Sequence, residues 1–406
     1  MVKERVIQFG EGGFLRGFVD WMLQKLSDKG LFEGKVVVVQ PIKEGMCDLL
    51  SEQNCKYTHI SRGSEGVEKT PVSVISRCVK PYEDFNSYLA LADNPDMRFI
   101  VSNTTEAGIV FSPDDKLCDT PPKTFPAKLT LLLKRRFENG LKGFIILPCE
   151  LIDKNGEALK KAIISYIDLW KLPDSFKEWV EKENIFTNTL VDRINTGYPK
   201  GEDLEELKTD KMLNTSEFFH LWVIETDYNI EKELPFSKAG LNVIVTKDKL
   251  SLYRTRKVRI LNGAHTSLVA YGLLEGFDTV KSCMDNEKMY EYIHKCVYEE
   301  IIPTLNLDKD ELISYADSVM ERFKNPYIKH YLSSIALNSV SKFKVRVLPS
   351  ILEYKKKFGK YPEALIFSLE KLIEFYKTGN ANDTDEAIEY MKDITVEKFI
   401  RDNENQ

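Results

Sequence analysis

The sequence predicts an α/β fold class, and three observations carry that expectation. A short apolar strand, Val6-Ile7-Gln8-Phe9, runs into the glycine turn Gly10-Glu11-Gly12-Gly13; a helical pattern through Phe18, Trp21, Met22 and Leu26 follows, and the strand Lys35 to Gln40 closes a βαβ unit. Apolar strand patterns then recur as far as Val245, and from Arg254 onward almost every segment has helical periodicity. A strand-rich half followed by a helix-rich half implies two domains: a Rossmann-type N-terminal domain with insertions, expected over 1–253, and a largely helical C-terminal domain over 254–406.

Composition narrows the class. The chain has 406 residues, 43% of them hydrophobic, which is enough for globular cores rather than disorder. A formal net charge of −6 and the absence of Lys/Arg runs interleaved with aromatics argue against nucleic-acid binding. The N-terminus enters a strand without an apolar signal core, and no apolar run reaches membrane-spanning length, so a soluble cytoplasmic protein is expected. The seven cysteines are scattered, with no Cys-x-x-Cys pair. They read as reduced thiols rather than staples or zinc ligands, and no metal site is expected.

The first element, Ile7-Gln8-Phe9-Gly10-Glu11-Gly12-Gly13-Phe14-Leu15-Arg16, has the order strand, glycine turn, helix start. Glycines permit the tight turn and close approach of a diphosphate, the helix start offers N–H groups, and Arg16 is available to a phosphate. A Gly-x-Gly alone is commonly only a turn; between a chain-opening strand and a helix it favours dinucleotide binding. At the end of the second strand, where an acidic residue usually accepts from the adenosine ribose, stands Gln40. Gln40 accepts weakly and Lys43 leaves a 2′-phosphate open, so NAD is favoured over NADP.

Residues 41 to 81 read as an insertion with short strands at Tyr57 to Ile60 and Val72 to Ile75, in which His59 has a surface or hydrogen-bonded role. A helix from Phe85 to Ala92 leads to the strand Met97 to Ser102, whose end carries Asn103 and Glu106. Polar residues at the carboxyl end of a parallel strand line the ligand crevice, so both are cofactor-side or substrate-side candidates, or turn caps. A helix over Ala127 to Phe137 precedes the strand Gly143 to Pro148, which runs into Cys149 and Glu150, a second carboxylate at a strand edge and a substrate-side candidate. A helix follows from Glu157 to Trp170, then a polar linker over Gly197 to Asn214 and strands at Phe218 to Glu225 and Leu241 to Val245. The last stretch, Gly379 to Gln406, is strongly charged and is expected to pack loosely.

The stretch Lys257 to Gly276 carries the chemistry. Val258, Leu261, Leu268, Val269 and Leu273 recur at roughly helical spacing, predicting a buried helix into which Lys257, Asn262 and His265 are set. On an α-helix the last two stand about 60° apart, with Lys257 a turn or more toward the N-terminus. Side chains lean that way, so one small polar atom can touch all three. An amine, a carboxamide and an imidazole in an apolar wall suit proton transfer at a carbonyl or alcohol oxygen: burial brings a lysine toward neutral-pH exchange, the amide donates to a developing oxyanion, and the imidazole orients. Taken singly, a lysine at a helix start is usually solvated and a lone buried histidine usually hydrogen-bonded. The shared spacing is what favours a site.

The chain resembles the long-chain polyol dehydrogenase family that includes the mannitol dehydrogenases, and most closely its tagaturonate reductase (altronate oxidoreductase) branch. The resemblance rests on Ile7 to Arg16, Ser102-Asn103-Thr104-Thr105-Glu106-Ala107-Gly108-Ile109, Pro148 to Asp153, Lys257 to Thr266, and Asn325-Pro326-Tyr327-Ile328-Lys329-His330. It implies metal-independent hydride transfer between NAD(H) and a small sugar acid, interconverting tagaturonate and altronate. By the same analogy Lys257 is the general acid/base, Asn262 polarises the reacting oxygen and His265 positions the substrate. Lys342 resembles in position a substrate-binding lysine of the mannitol enzymes and is expected to meet the uronate carboxylate, or else is a solvated helix-end lysine. Two departures stand out: mannitol dehydrogenases have Asp-Asn where this chain has Glu150-Leu151, removing a second amide, and family members are longer at the C-terminus, so the chain is expected to lack a terminal segment or to be a short variant. Fructuronate reductase or mannitol-type specificity is the neighbouring alternative. A Schiff-base lysine in an aldolase or dehydratase, or a non-catalytic NAD-binding protein, are the alternatives of other classes.

Overall fold

Six strands of the computed structural model, all parallel, run in the spatial order Ile75–Val79, Lys35–Val39, Glu4–Phe9, Phe99–Ser102, Ile145–Pro148, Ile185–Phe186. Numbered along the chain this is 3-2-1-4-5-6, the doubly wound order with its reversal between the first and fourth strands. The structure describes residues 3–105 and 107–404. They form two compact units, one of Met1–Arg62 and Gly66–Leu250, the other of Gly63–Glu65 and Ser251–Gln406.

The central strands are apolar on both faces, as a sheet covered on both sides requires. Val6, Val36, Val38, Val101 and Leu147 pack with Phe18, Met22 and Leu26 of the helix Val19–Asp28 on one side. Ile7, Phe9, Val37, Ile100 and Ile146 pack with Leu129, Leu132 and Leu133 of the helix Phe125–Glu138 on the other. Two smaller sheets complete the unit: a four-stranded one that includes Tyr57–Gly63 and Gly66–Val72, and a three-stranded one of Asn188–Asp192, Leu221–Glu225 and Val243–Thr246.

Three expectations are corrected here. Residues Ile75–Val79 belong to the main sheet rather than to an insertion: they are its edge strand, in which half-buried Ser76 and exposed Arg77 bind Glu4 instead of continuing an apolar run. The expected linker, Gly197 to Asn214, is a connection inside the first unit: it runs between Asn195–Gly197 and Asn214–Ser216, two paired strands of the four-stranded sheet. The charged C-terminal stretch is well packed, because the helices Asp385–Lys392 and Val396–Asn403 bury Met391, Phe399 and Ile400, with the Phe399 ring edge-on to Phe343.

In the second unit the helix Gly263–Leu274 is buried on every side from Gly263 to Gly272 and packs against Glu363–Lys377. A helix apolar all round is the core of its unit, so polar groups at its entrance are held by many neighbours. Among the described residues, no helix is long and apolar enough to cross a membrane.

Candidate functional site

Where the first and fourth strands part, Gly10 has φ 114°. A Cβ there would stand 3.1 Å from the Asn103 carbonyl oxygen, so both the backbone angle and the close approach call for glycine. Gly12 caps the short helix Gly13–Gly17 with no side chain over its N–H groups, and a Cβ at Gly12 would meet open space. The Gly10 N–H is given to the Val39 carbonyl, so the backbone of Gly12 and Gly13 is what this turn can offer to an anion.

Its side chains mostly turn inward. Ile7, Phe9 and Leu15 lie in the core, and Phe14 stacks on Phe18 at 5.1 Å. Gln8 is fully buried and donates to the Gly10 carbonyl and to Asp20, both at 3.1 Å. Burial raises the Asp20 carboxyl to about 7, against the opposing pull of the Gln8 hydrogen bond and the Arg16 charge. Arg16 corrects an expectation: its guanidinium is buried, donates to the carbonyls of Glu11 and Met212 and lies over the Tyr57 ring, so it braces the turn and is not available to a phosphate.

Beyond the second strand, Gln40 is also spent locally. Its Nε2 donates to Ile42 and Lys43 carbonyls at 3.1 and 3.0 Å, and its Oε1 accepts from Cys47 N–H at 3.2 Å. Glu11 reaches the same loop, accepting from Met46 N–H at 3.2 Å, and burial raises its pKa. Gly45 fits between them, for a Cβ there would fall 2.7 Å from Gln40 Oε1.

At the ends of the fourth and fifth strands, Asn103 donates to the Cys149 carbonyl at 2.8 Å. Glu150 is buried and accepts from Ser102 Oγ, Thr104 N–H and Thr104 Oγ1, each at 3.0 Å. Desolvation raises its pKa against those bonds. It ties two strand ends together, which corrects the expectation of a carboxylate facing a ligand: both oxygens are committed to neighbouring donors. Glu106 lies outside the described residues.

In the second unit, Lys257 to Asn262 is a π-helical segment inserted between the α-helices Leu250–Arg256 and Gly263–Leu274. Gly263 N–H donates back five residues to the Val258 carbonyl. This changes the geometry expected from a regular helix. In an α-helix five residues leave two side chains about 140° apart, whereas i→i+5 bonding makes five residues close to one turn, so Lys257 and Asn262 come onto one face. Both are half-buried. His265 follows three residues on, buried, its ring packed at 4.2 Å on Phe323 and edge-on at 4.7 Å to His330. Burial lowers the His330 pKa, keeping that imidazole neutral near pH 7.

Lys342 sits on the helix Ser339–Arg346, where its Nζ donates to the Ile335 carbonyl at 2.9 Å. Two neighbours carried no weight in the sequence: His330, whose only signal was its place in a motif, and Arg346, four residues beyond Lys342 on the same helix face. The Arg346 carbonyl stands 3.2 Å from where a Gly263 Cβ would be, and its Nη1 is 3.5 Å from Thr266 Oγ1.

Residues 4–238 match the mannitol dehydrogenase Rossmann domain and residues 249–404 the mannitol dehydrogenase C-terminal domain. An altronate oxidoreductase of Phocaeicola vulgatus is 44% identical over 95% of this chain and 83% of its own length. One of Bacillus subtilis is 42% identical over 96% and 84%. Among solved structures, a D-sorbitol dehydrogenase superposes with a TM-score of 0.83 over 96% of this chain and 86% of its own, at 21% identity. Pseudomonas fluorescens mannitol 2-dehydrogenase, solved with NAD and D-mannitol, superposes at 0.71 over 99% and 86%, also at 21% identity. The two structural likenesses speak for the fold and the sequence matches for kinship: the chain belongs to the mannitol dehydrogenase family of polyol and aldonate oxidoreductases, alongside the altronate oxidoreductases.

Proposed function

We propose that the chain is an NAD-dependent dehydrogenase interconverting D-tagaturonate and D-altronate, with Lys257 as general acid/base. The observation that carries this reading is the π-helical turn, which puts an amine and a carboxamide on one face beside a packed imidazole. In the reductive direction the Lys257 ammonium gives a proton to the oxygen at C5 of the keto acid, and in the oxidative direction the amine takes it back. Asn262 donates a hydrogen bond to the same oxygen as negative charge develops there. His265, held between Phe323 and His330, positions the substrate hydroxyls, and Lys342 attracts the carboxylate.

The residues fit a dinucleotide. The open backbone at Gly12 suits a diphosphate, and the Glu11 carboxylate stands beside the loop that follows the second strand, where it would repel a 2′-phosphate and favours NAD. When bound, NAD supplies the two-electron donor or acceptor; the protein's part is to place and polarise the substrate.

The test is loss of NADH absorbance with tagaturonate, fructuronate, fructose and fructose 6-phosphate, repeated with NADPH. The expected result is tagaturonate with NADH well ahead of the rest. Preference for fructuronate or fructose would reassign the substrate. Absence of turnover with every one of them would remove the function.

A further inference from the structure

Lys342 and Arg346 are four residues apart on one helix face, where like charges repel. Among the described residues neither forms an ion pair. Arg346 has only the 3.5 Å approach to Thr266 Oγ1, and Lys342 only the Ile335 carbonyl. Both are half-buried, and burial lowers both pKa values. Arg346 lowers that of Lys342 further while Asp383 acts the other way, but Asp383 already accepts from Val340 N–H and the Tyr376 hydroxyl. Two other buried arginines of the same unit are treated differently: Arg256 meets Glu311 at 2.6 Å and Arg259 meets Glu353 at 3.2 Å. A half-buried guanidinium beside a second cation, with no carboxylate, costs stability until an anion completes it.

We propose that Arg346 binds the terminal carboxylate of the substrate, with Lys342 beside it, and so decides for a keto-uronate over a neutral ketose. The assignment rests on the keto-uronate reading above and adds a residue to it. Thr266, the contact of Arg346, is four residues after Asn262 and so lies on the same face just over one turn, ~6 Å, along the helix. In a six-carbon chain with the carboxylate at C1 and the ketone at C5, four carbon–carbon bonds of about 1.5 Å separate the two carbons by roughly 5 Å when extended. An oxygen held by Asn262 and a carboxylate held by Arg346 therefore match the spacing of the two groups. The planar guanidinium meets both carboxylate oxygens at once, which an ammonium does not.

The experiment compares tagaturonate with the neutral ketohexose that has a hydroxymethyl group in place of the carboxylate. Arg346→Gln is expected to raise KM for the keto-uronate ~10- to 100-fold, with a loss in kcat/KM for the neutral ketose at least about ten times smaller. Arg346→Lys should recover part of the uronate affinity. Equal losses on the two substrates, or an unchanged uronate KM, overturn the assignment. Should Arg346→Gln fail to fold, Arg346→Lys decides, since it must still raise the uronate KM more than the ketose KM. Wild-type protein with no keto-uronate activity is a separate failure, that of the functional reading, and the carboxylate falls with it.

Discussion

The glycine turn of the first unit and the π-helical turn of the second are both short polar interruptions of apolar structure, yet they spend their side chains in opposite ways. In the turn, Gln8, Glu11 and Arg16 are each bonded to nearby protein groups, leaving backbone N–H groups as the exposed chemistry. In the helix, the backbone is consumed by its own hydrogen bonds, and in the proposed mechanism it is Lys257, Asn262 and His265 that supply the chemistry. A cofactor diphosphate is the same in every turnover and is well served by fixed backbone donors. A proton must be given and taken back, which only a titrating side chain can do.

That contrast is broken most directly at Lys257. Lys257→Ala should lower kcat by at least ~10³-fold while leaving NADH affinity, read by fluorescence titration, within about threefold of wild type. Turnover near the wild-type rate would remove the amine from the mechanism. A matching loss of NADH binding would mean that the helix, too, is a cofactor-holding element.

Asn262 sharpens the same side of the comparison. Asn262→Ala should cost ~10²-fold in kcat, the usual loss for one oxyanion donor. If, as proposed, Lys257 and Asn262 act on one oxygen, the double variant should be little worse than Lys257→Ala alone. Fully multiplicative losses would show that the two groups serve different atoms, and the one-face geometry of the π turn would lose its meaning.

How much of this was legible in the sequence follows from the same division. The inner strands were readable because strands buried on both faces are runs of Val, Ile and Phe, as in Lys35 to Val39. Ile75–Val79 was not, because an edge strand mixes Ser76 and Arg77 into the pattern. The terminal helices hid Met391, Phe399 and Ile400 within a charge-dense stretch whose helical spacing was outweighed by its polarity. Lys257, Asn262 and His265 could be singled out by offset, but the offset was measured on a regular helix. A π-helical turn has no residue signature of its own, since it is set by how the flanking helices pack. Arg346 was invisible for a related reason: in Lys342-Phe343-Lys344-Val345-Arg346 it is one cation among three, and only the Thr266 contact and the lack of an ion pair among the described residues single it out.

The smallest expected effect on catalysis, and the clearest on stability, belongs to Arg16. Read from the motif alone, Arg16 is a phosphate ligand. In the fold its guanidinium donates to the carbonyls of Glu11 and Met212 and covers the Tyr57 ring, while the Tyr57 hydroxyl donates back to the Arg16 carbonyl at 2.7 Å. Arg16→Met keeps the stem and removes the donors, leaving two carbonyls without them, so unfolding free energy should fall by about 2–3 kcal/mol in urea titration. Well below the melting temperature, kcat should stay near wild type and the NADH dissociation constant should shift by less than about fivefold, without a change in its salt dependence. A phosphate ligand would behave the other way: stability would hardly move, NADH affinity would drop by an order of magnitude or more, and the remaining binding would be less sensitive to salt. That second pattern would put a side chain where the structure places only backbone, and the contrast between the two turns would collapse.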